Sequence, residues 1–119
     1  MTTSTDFTLY HNPQCSNSRG ALALLRERGI EPNIVDYLGQ PLNVAQLTAL
    51  VARLGLPMRE LLRTKEAAYA ELGLDDPARS EAELIAAVAA HPRLLNRPIV
   101  VSPRGALLCR PPERVLELI

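Results

Sequence analysis

Cys15 stands in the run His11-Asn12-Pro13-Gln14-Cys15-Ser16-Asn17-Ser18-Arg19, the stretch of this chain richest in groups that could do chemistry. A thiolate is a strong nucleophile and its protonated form is not, so a working cysteine needs surroundings that favour the anion. Phe7-Thr8-Leu9-Tyr10 alternates and is rich in strand formers, so it reads as a first strand. Asn12-Pro13 breaks it, and Cys15 or Ser16 caps a helix running to about Arg28. A cysteine at that point meets the positive end of the helix dipole and N–H groups that lack an intrahelical partner. The same N–H groups suit a tetrahedral oxyanion. His11 as an imidazolium, and Arg19, would add positive charge, and Ser18 could donate a hydrogen bond to the sulfur. Position alone leaves two readings open, a nucleophile or an inert cysteine that merely caps a helix. Spacing removes two others. Ser18 occupies the place of the second cysteine in a C-x-x-C dithiol, and Ala21 occupies the place of the arginine in a C-x₅-R phosphatase loop.

The elements around this loop follow from pattern. Ala21, Leu22 and Leu25 give the first helix an apolar face, and Gly29 stops it. Ile34–Leu38 reads as a second strand. Asn43 with Gln46 makes a capping-box pattern ahead of Leu47, Leu50, Val51 and Leu54, and Gly55 ends that helix. Met58–Leu62 and Lys65–Leu72 read as two short helices. Ser80 with Glu83 opens another helix to about Ala90, which His91-Pro92 ends. Ile99-Val100-Val101 and Leu107-Leu108-Cys109 flank Pro103-Arg104-Gly105 as a hairpin. Pro111-Pro112 then opens a last helix carrying Val115, Leu116 and Ile119. A helical crossover implies that the first two strands are parallel, whereas the late hairpin is antiparallel. The expected fold is α/β, a small mixed sheet flanked by helices with a helical middle, as in thioredoxin-like domains.

Composition narrows the function classes. At 119 residues, 47% apolar and 22% charged, the chain is expected to form a single domain, 1–119, that needs no disulfide or metal to fold. Thirteen basic residues balance thirteen acidic ones, so there is no global field to gather nucleic acid or a membrane surface. The longest apolar run, Leu84–Ala90, is far short of the ~20 residues that span a bilayer. No signal-peptide pattern opens the sequence, and the expected address is the cytoplasm. Two cysteines and two histidines show no zinc spacing, and no dinucleotide or P-loop motif is present, so no bound cofactor is expected. Every basic residue except Lys65 is arginine. That bias follows from genomic base composition, or it reflects guanidinium forks that grip an oxyanion.

His-Asn-Pro-x-Cys-x-x-Ser-Arg resembles the active-site motif of the glutaredoxin-dependent arsenate reductase family. The resemblance continues through Glu60-Leu61-Leu62-Arg63, Tyr69-x-Glu71-Leu72-Gly73, His91-Pro92-x-Leu94-Leu95-Asn96-Arg97-Pro98-Ile99-Val100-Val101 and Leu108-Cys109-Arg110-Pro111. The five motifs stand in order, and the resemblance spans nearly the whole chain, from about residue 7 to 119. The sequence departs from better-known members at Ser16-Asn17, where those carry Gly-Thr, and at Gln14, where they carry Ala.

The resemblance implies a thioredoxin-like fold with a helical insertion, and reduction of arsenate to arsenite. It implies that Cys15 attacks arsenate, that His11 assists thiolate formation, and that Arg63, Arg97 and Arg110 grip the oxyanion. Ser18 and Asn12 would complete the substrate site. Glutathione would be the co-substrate and glutaredoxin the protein partner. Arg97-Pro98 resembles the cis-proline turn that faces the cysteine in thioredoxin-like domains. Arg19 is expected to support the loop, Cys109 to pack in the core, and Arg53 and Arg79 to lie outside any motif. Two alternatives remain. One is a redox-responsive regulator that binds RNA polymerase, which commonly uses the C-x-x-C switch that Ser18 removes. The other is a thiol-dependent reductase with a different substrate.

Overall fold

The computed structural model describes residues 6–119; the polar segment expected to fray at 1–5 lies outside the described residues. Two compact units emerge. One runs up to Gln40 and resumes over Arg97–Ile119, and the other is Pro41–Asn96.

The first unit holds the sheet. Strand β1 (Thr8–Tyr10) leads through helix α1 (Ser16–Glu27) to β2 (Asn33–Val35), and β3 (Ile99–Ser102) turns into β4 (Gly105–Leu108). The order is β2-β1-β3-β4. β1 pairs parallel with β2 and β3 pairs antiparallel with β4, as the crossover and the hairpin predict, and β1 also pairs antiparallel with β3. This is the mixed sheet of a thioredoxin-like domain. Leu9 pairs with Val100 and both are buried, so the centre of the sheet presents apolar side chains to one face. Ala21 and Leu25 of α1 cover them, joined by Phe7, Cys109, Val115 and Leu118. Gly20 matters here. A Cβ at that position would come within 3.0 Å of Pro112 Cγ, so the missing side chain lets α1 lie close against the C-terminal turns. α1 ends in a Schellman motif. Gly29 has φ 76°, its N–H reaches the Arg26 carbonyl, and the Ile30 N–H reaches that of Leu25.

Three expectations need correction in this unit. The second strand stops at Val35 rather than Leu38, because the Asp36 carboxylate accepts the Gly39 N–H (3.0 Å) and turns the chain. The last helix is 3₁₀, spanning Pro112–Leu118. Its three-residue period puts Val115 and Leu118 inward, leaving Leu116 partly buried and Ile119 exposed. Cys109 lies just beyond β4 rather than within a strand.

In the second unit, α2 (Val44–Leu54) and α4 (Glu81–Ala90) both start on complete capping boxes, Asn43 with Gln46 and Ser80 with Glu83. α2 buries Leu47 and Leu50, and α4 buries Leu84, Ile85 and Val88. Gly55, at φ 70°, closes α2. Met58–Leu61 is a 3₁₀ turn, and α3 is only Ala67–Glu71. Both are shorter than expected: Leu62 leaves the turn to form an antiparallel bridge with Leu95, and beyond α3 arginine side chains take up main-chain carbonyls. Arg59 donates to the Leu74 and Asp76 carbonyls (2.8 and 2.9 Å), and Arg79 donates to that of Leu72 (2.7 Å). Arg79, outside every motif, therefore holds a loop.

Leu25→Ala should cost about 2–5 kcal/mol, since the side chain is fully buried in the core. Ile34→Thr, at a position 44% exposed on edge strand β2, should stay within about 0.5 kcal/mol. Urea unfolding measures both, and equal losses would contradict this assignment of the core.

Candidate active site

The loop from His11 to Arg19 is tied to itself at nearly every residue. β1 ends at Tyr10, and the His11 N–H continues the parallel ladder to the Val35 carbonyl (3.0 Å). The Asn12 N–H donates to Ser18 Oγ (3.0 Å), and the Asn12 carbonyl accepts the Cys15 N–H (3.0 Å). Asn12 Oδ1 accepts the Gln14 N–H (2.9 Å), an Asx turn. Arg19 Nη1 donates to the Pro13 carbonyl (2.9 Å), which is the supporting role its position implies. Cys15 is the N-cap of α1, with extended backbone (φ −94°, ψ 125°), and is half-buried. The loop thus delivers the sulfur to the start of the helix on a braced backbone.

The surroundings of that sulfur favour its anion. Burial pushes the Cys15 thiol up, but the Ser18 and Asn17 amides and the charge and hydrogen bond of the Arg97 guanidinium outweigh it, and its pKa falls below the ordinary thiol value. The Cys15 side chain closes no cap hydrogen bond of standard geometry, so the two amides act mainly on the developing charge. Cys109 is the opposite case. It is fully buried, and burial pushes its thiol up to about 12. One cysteine is poised to ionise and the other is a packing residue.

His11 and Ser18 differ from their sequence roles. Ser18 is fully buried, and its Oγ lies 2.6 Å from His11 Nδ1 while accepting from Asn12. Its hydroxyl serves the histidine and the loop, while its backbone N–H serves the sulfur. His11 has its pKa lowered by burial and then by the charges of Arg26 and Arg19, with Asp36 opposing. Burial and these charges favour the neutral imidazole over the imidazolium form that would add positive charge. The influence of Arg26 was not read from the sequence. Its one visible signal is the seven-residue spacing from Arg19, two turns along one face of α1.

The arginines divide between the units. Arg97 precedes Pro98 through a cis peptide bond, as in the cis-proline turn of thioredoxin-like domains, and its charge lowers the Cys15 pKa. Arg110 also precedes a cis proline, and its Nη1 donates to the Arg97 main-chain carbonyl (3.0 Å). Arg63 belongs to the second unit. There its N–H donates to the Leu94 carbonyl (2.7 Å), beside an antiparallel bridge between Leu62 and Leu95, and its Nη1 lies 3.9 Å from Glu66 Oε2. Among the described residues, no three His, Cys, Asp or Glu side chains converge where a metal could sit. Nor, among them, is any helix long and apolar enough to cross a membrane.

The model of the ArsC family matches residues 10–118. A protein of Rhizobium meliloti (strain 1021) named arsenate reductase is 51% identical over 112 residues, 94% of this chain and 80% of that protein. A protein of Escherichia coli (strain K12) that bears the name uncharacterized protein YfgD is 49% identical over 93% of this chain and 94% of its own length. A solved structure described as arsenate reductase from Vibrio cholerae superposes with a TM-score of 0.92 at 45% identity, covering 100% of this chain and 98% of that one.

Two measurements test the electrostatics of this loop. Iodoacetamide at neutral pH should label Cys15 alone, with a midpoint below that of a free thiol and raised by Arg97→Ala; labelling of Cys109 at the same rate would refute the contrast. The folded-state pKa of His11 lies below the ordinary 6.5, so the unfolded chain binds the proton more readily. Stability from this group is therefore complete above pH 6.5 and falls as pH drops through the folded value. Thermal unfolding between pH 7 and 5 should show that loss, and His11→Gln should flatten it.

Proposed function

This chain belongs to the ArsC family, and from that premise we propose that it is an arsenate reductase whose nucleophile is the Cys15 thiolate. One observation carries the reading: the lone half-exposed cysteine sits at the N-cap of α1, where the first-turn amides and the charge of Arg97 lower its pKa. The relatives named arsenate reductase at 43–51% identity supply the substrate.

Arsenate is an anion near neutral pH, and an attacking thiolate meets like charge. Fixed cations must neutralise the substrate before the sulfur can approach, and guanidinium does this in bidentate fashion without giving up its proton. In this reading Arg97, Arg110 and Arg63 hold the oxyanion, with Asn12 and Ser18 completing the site. The Cys15 sulfur bonds to arsenic and an arsenate oxygen leaves as water, the neutral His11 imidazole helping to take the thiol proton. Two electrons then bring arsenic from the pentavalent to the trivalent state. Two thiols supply them, one from glutathione, which attacks the adduct, and one from glutaredoxin; these leave joined as a disulfide, and water then cleaves the sulfur–arsenic bond, releasing arsenite and restoring the Cys15 thiol. No bound cofactor takes part. Residues 1–119 act as one functional domain, and the site of action is the cytoplasm, where thiols stay reduced.

Cys15→Ser should abolish arsenate reduction while the fold persists, and Cys109→Ser should keep much of the activity. Arg63→Ala, Arg97→Ala and Arg110→Ala should each lower kcat/KM by about 10²–10³, the cost of one preorganised contact to a developing charge, and lysine should restore only part. Arg28→Ala and Arg53→Ala are the controls. The assay is arsenate reduction with glutathione and glutaredoxin saturating, repeated with each omitted. Equal activity of the three variants and the controls would remove the oxyanion site from these arginines. A wild-type protein with a reactive Cys15 but no arsenate turnover would move the reading to a thiol-dependent reductase of another substrate.

A further inference from the structure

The β3–β4 ladder continues one bond past its last strand pair, Ile99 with Leu108. The Cys109 N–H reaches the Pro98 carbonyl at 2.8 Å. Backbone donors then run short, because neither Pro98 nor Pro111 has an N–H. A side chain takes over at this end of the hairpin: Arg110 Nη1 donates to the Arg97 carbonyl at 3.0 Å. Arg97 is the residue whose guanidinium charge favours the Cys15 thiolate. We propose that Arg110 is a positioning residue for Arg97, holding its main-chain carbonyl so that the Arg97 guanidinium stays aimed at Cys15.

The physical case rests on where a long side chain loses its aim. An arginine carries four side-chain torsions and much rotamer freedom, so its tip is placed only as well as its root. The root of Arg97 lies on a short segment entering β3, flanked by Pro98. The hydrogen bond from Arg110 fixes the carbonyl of that same residue. It is charge-assisted, since its donor is a guanidinium, but it is exposed, which keeps its contribution modest. Only one of the five Arg110 N–H groups is used in it, so this role is compatible with a hold on substrate by the others. The role presupposes Cys15 as nucleophile, but it concerns the free enzyme and its test contains no arsenate.

The test is the rate of Cys15 alkylation by iodoacetamide against pH, for the unmutated protein, Arg110→Ala, Arg97→Ala and the double variant. Thermal unfolding of each is recorded alongside. Arg110→Ala should slow alkylation at neutral pH roughly two- to tenfold, within what one hydrogen bond contributes, by moving the midpoint up. Arg97→Ala should do the same, and the double variant should be no slower than Arg97→Ala alone, because Arg110 then has nothing left to aim. If Arg110→Ala leaves the profile unchanged, the role is refuted. If the double variant shows the product of the two single effects, Arg110 acts on the sulfur independently and the role is again refuted. A lowered Tm with an unmoved midpoint would mark a merely structural contact. Should Arg110→Ala fail to fold, Arg110→Met keeps the aliphatic stem and removes the donor. Failure of the protein to reduce arsenate would strike the proposed function but would leave these profiles as they are.

Discussion

A thiolate half-withdrawn from water is stable only if its donors are in place before it forms, and most of the local structure around Cys15 meets that requirement. Burial alone would keep the proton on the sulfur. Amides at the start of α1 and the guanidinium of Arg97 reverse the balance. An amide at a helix start is available because helical geometry leaves it without an internal acceptor. That donor is useful only if the loop delivers the sulfur to it at a constant position. The Asn12–Ser18, Asn12–Gln14 and Arg19–Pro13 hydrogen bonds provide this bracing.

The same constraint explains why His11 is buried and neutral. A third positive group beside Arg19 and Arg26 would have to be desolvated as well as repelled, and both effects lower its pKa. What remains is an imidazole 2.6 Å from a fully buried serine hydroxyl. Neutral, it can accept a proton at physiological pH, which an imidazolium cannot. Positive charge at the site therefore comes from guanidinium groups, which do not titrate away. The arginine excess of the composition has a structural share in this, though most arginines do other work. Arg59 and Arg79 hold carbonyls of the loop between α3 and α4. Arg26 forms a paired contact with Glu31.

The sheet and the packing beneath it set the remaining geometry. β1 is only three residues long, yet it lies between β2 and β3, so the loop that follows it is anchored on both sides. Gly20 lets the C-terminal turns close on α1, and Ser102 Oγ donates to the Leu118 carbonyl (3.1 Å), tying the chain end to the hairpin. These contacts steady the helix whose first turn faces the sulfur.

Much of this was readable in the residues themselves. The strand-to-helix placement of Cys15, both capping boxes, the glycine stops at Gly29 and Gly55 and the hairpin each depend on residues within a few positions of one another, where local sterics and hydrogen bonding decide. The crossover implies the parallel β1–β2 pair and the turn implies the β3–β4 pair, whereas the antiparallel pairing of β1 with β3 joins residues far apart in the chain. Other features were decided by hydrogen bonds and packing that the residue pattern does not select. The second strand ends early on the Asp36 turn, the last helix is 3₁₀ and points Leu118 inward, and Ser18 turns its hydroxyl to His11. Charge state belongs to this second group. Whether His11 or Cys15 holds a proton depends on the burial and fields of Arg19, Arg26 and Arg97, and desolvation and Coulomb energy depend on distances that only the folded chain defines.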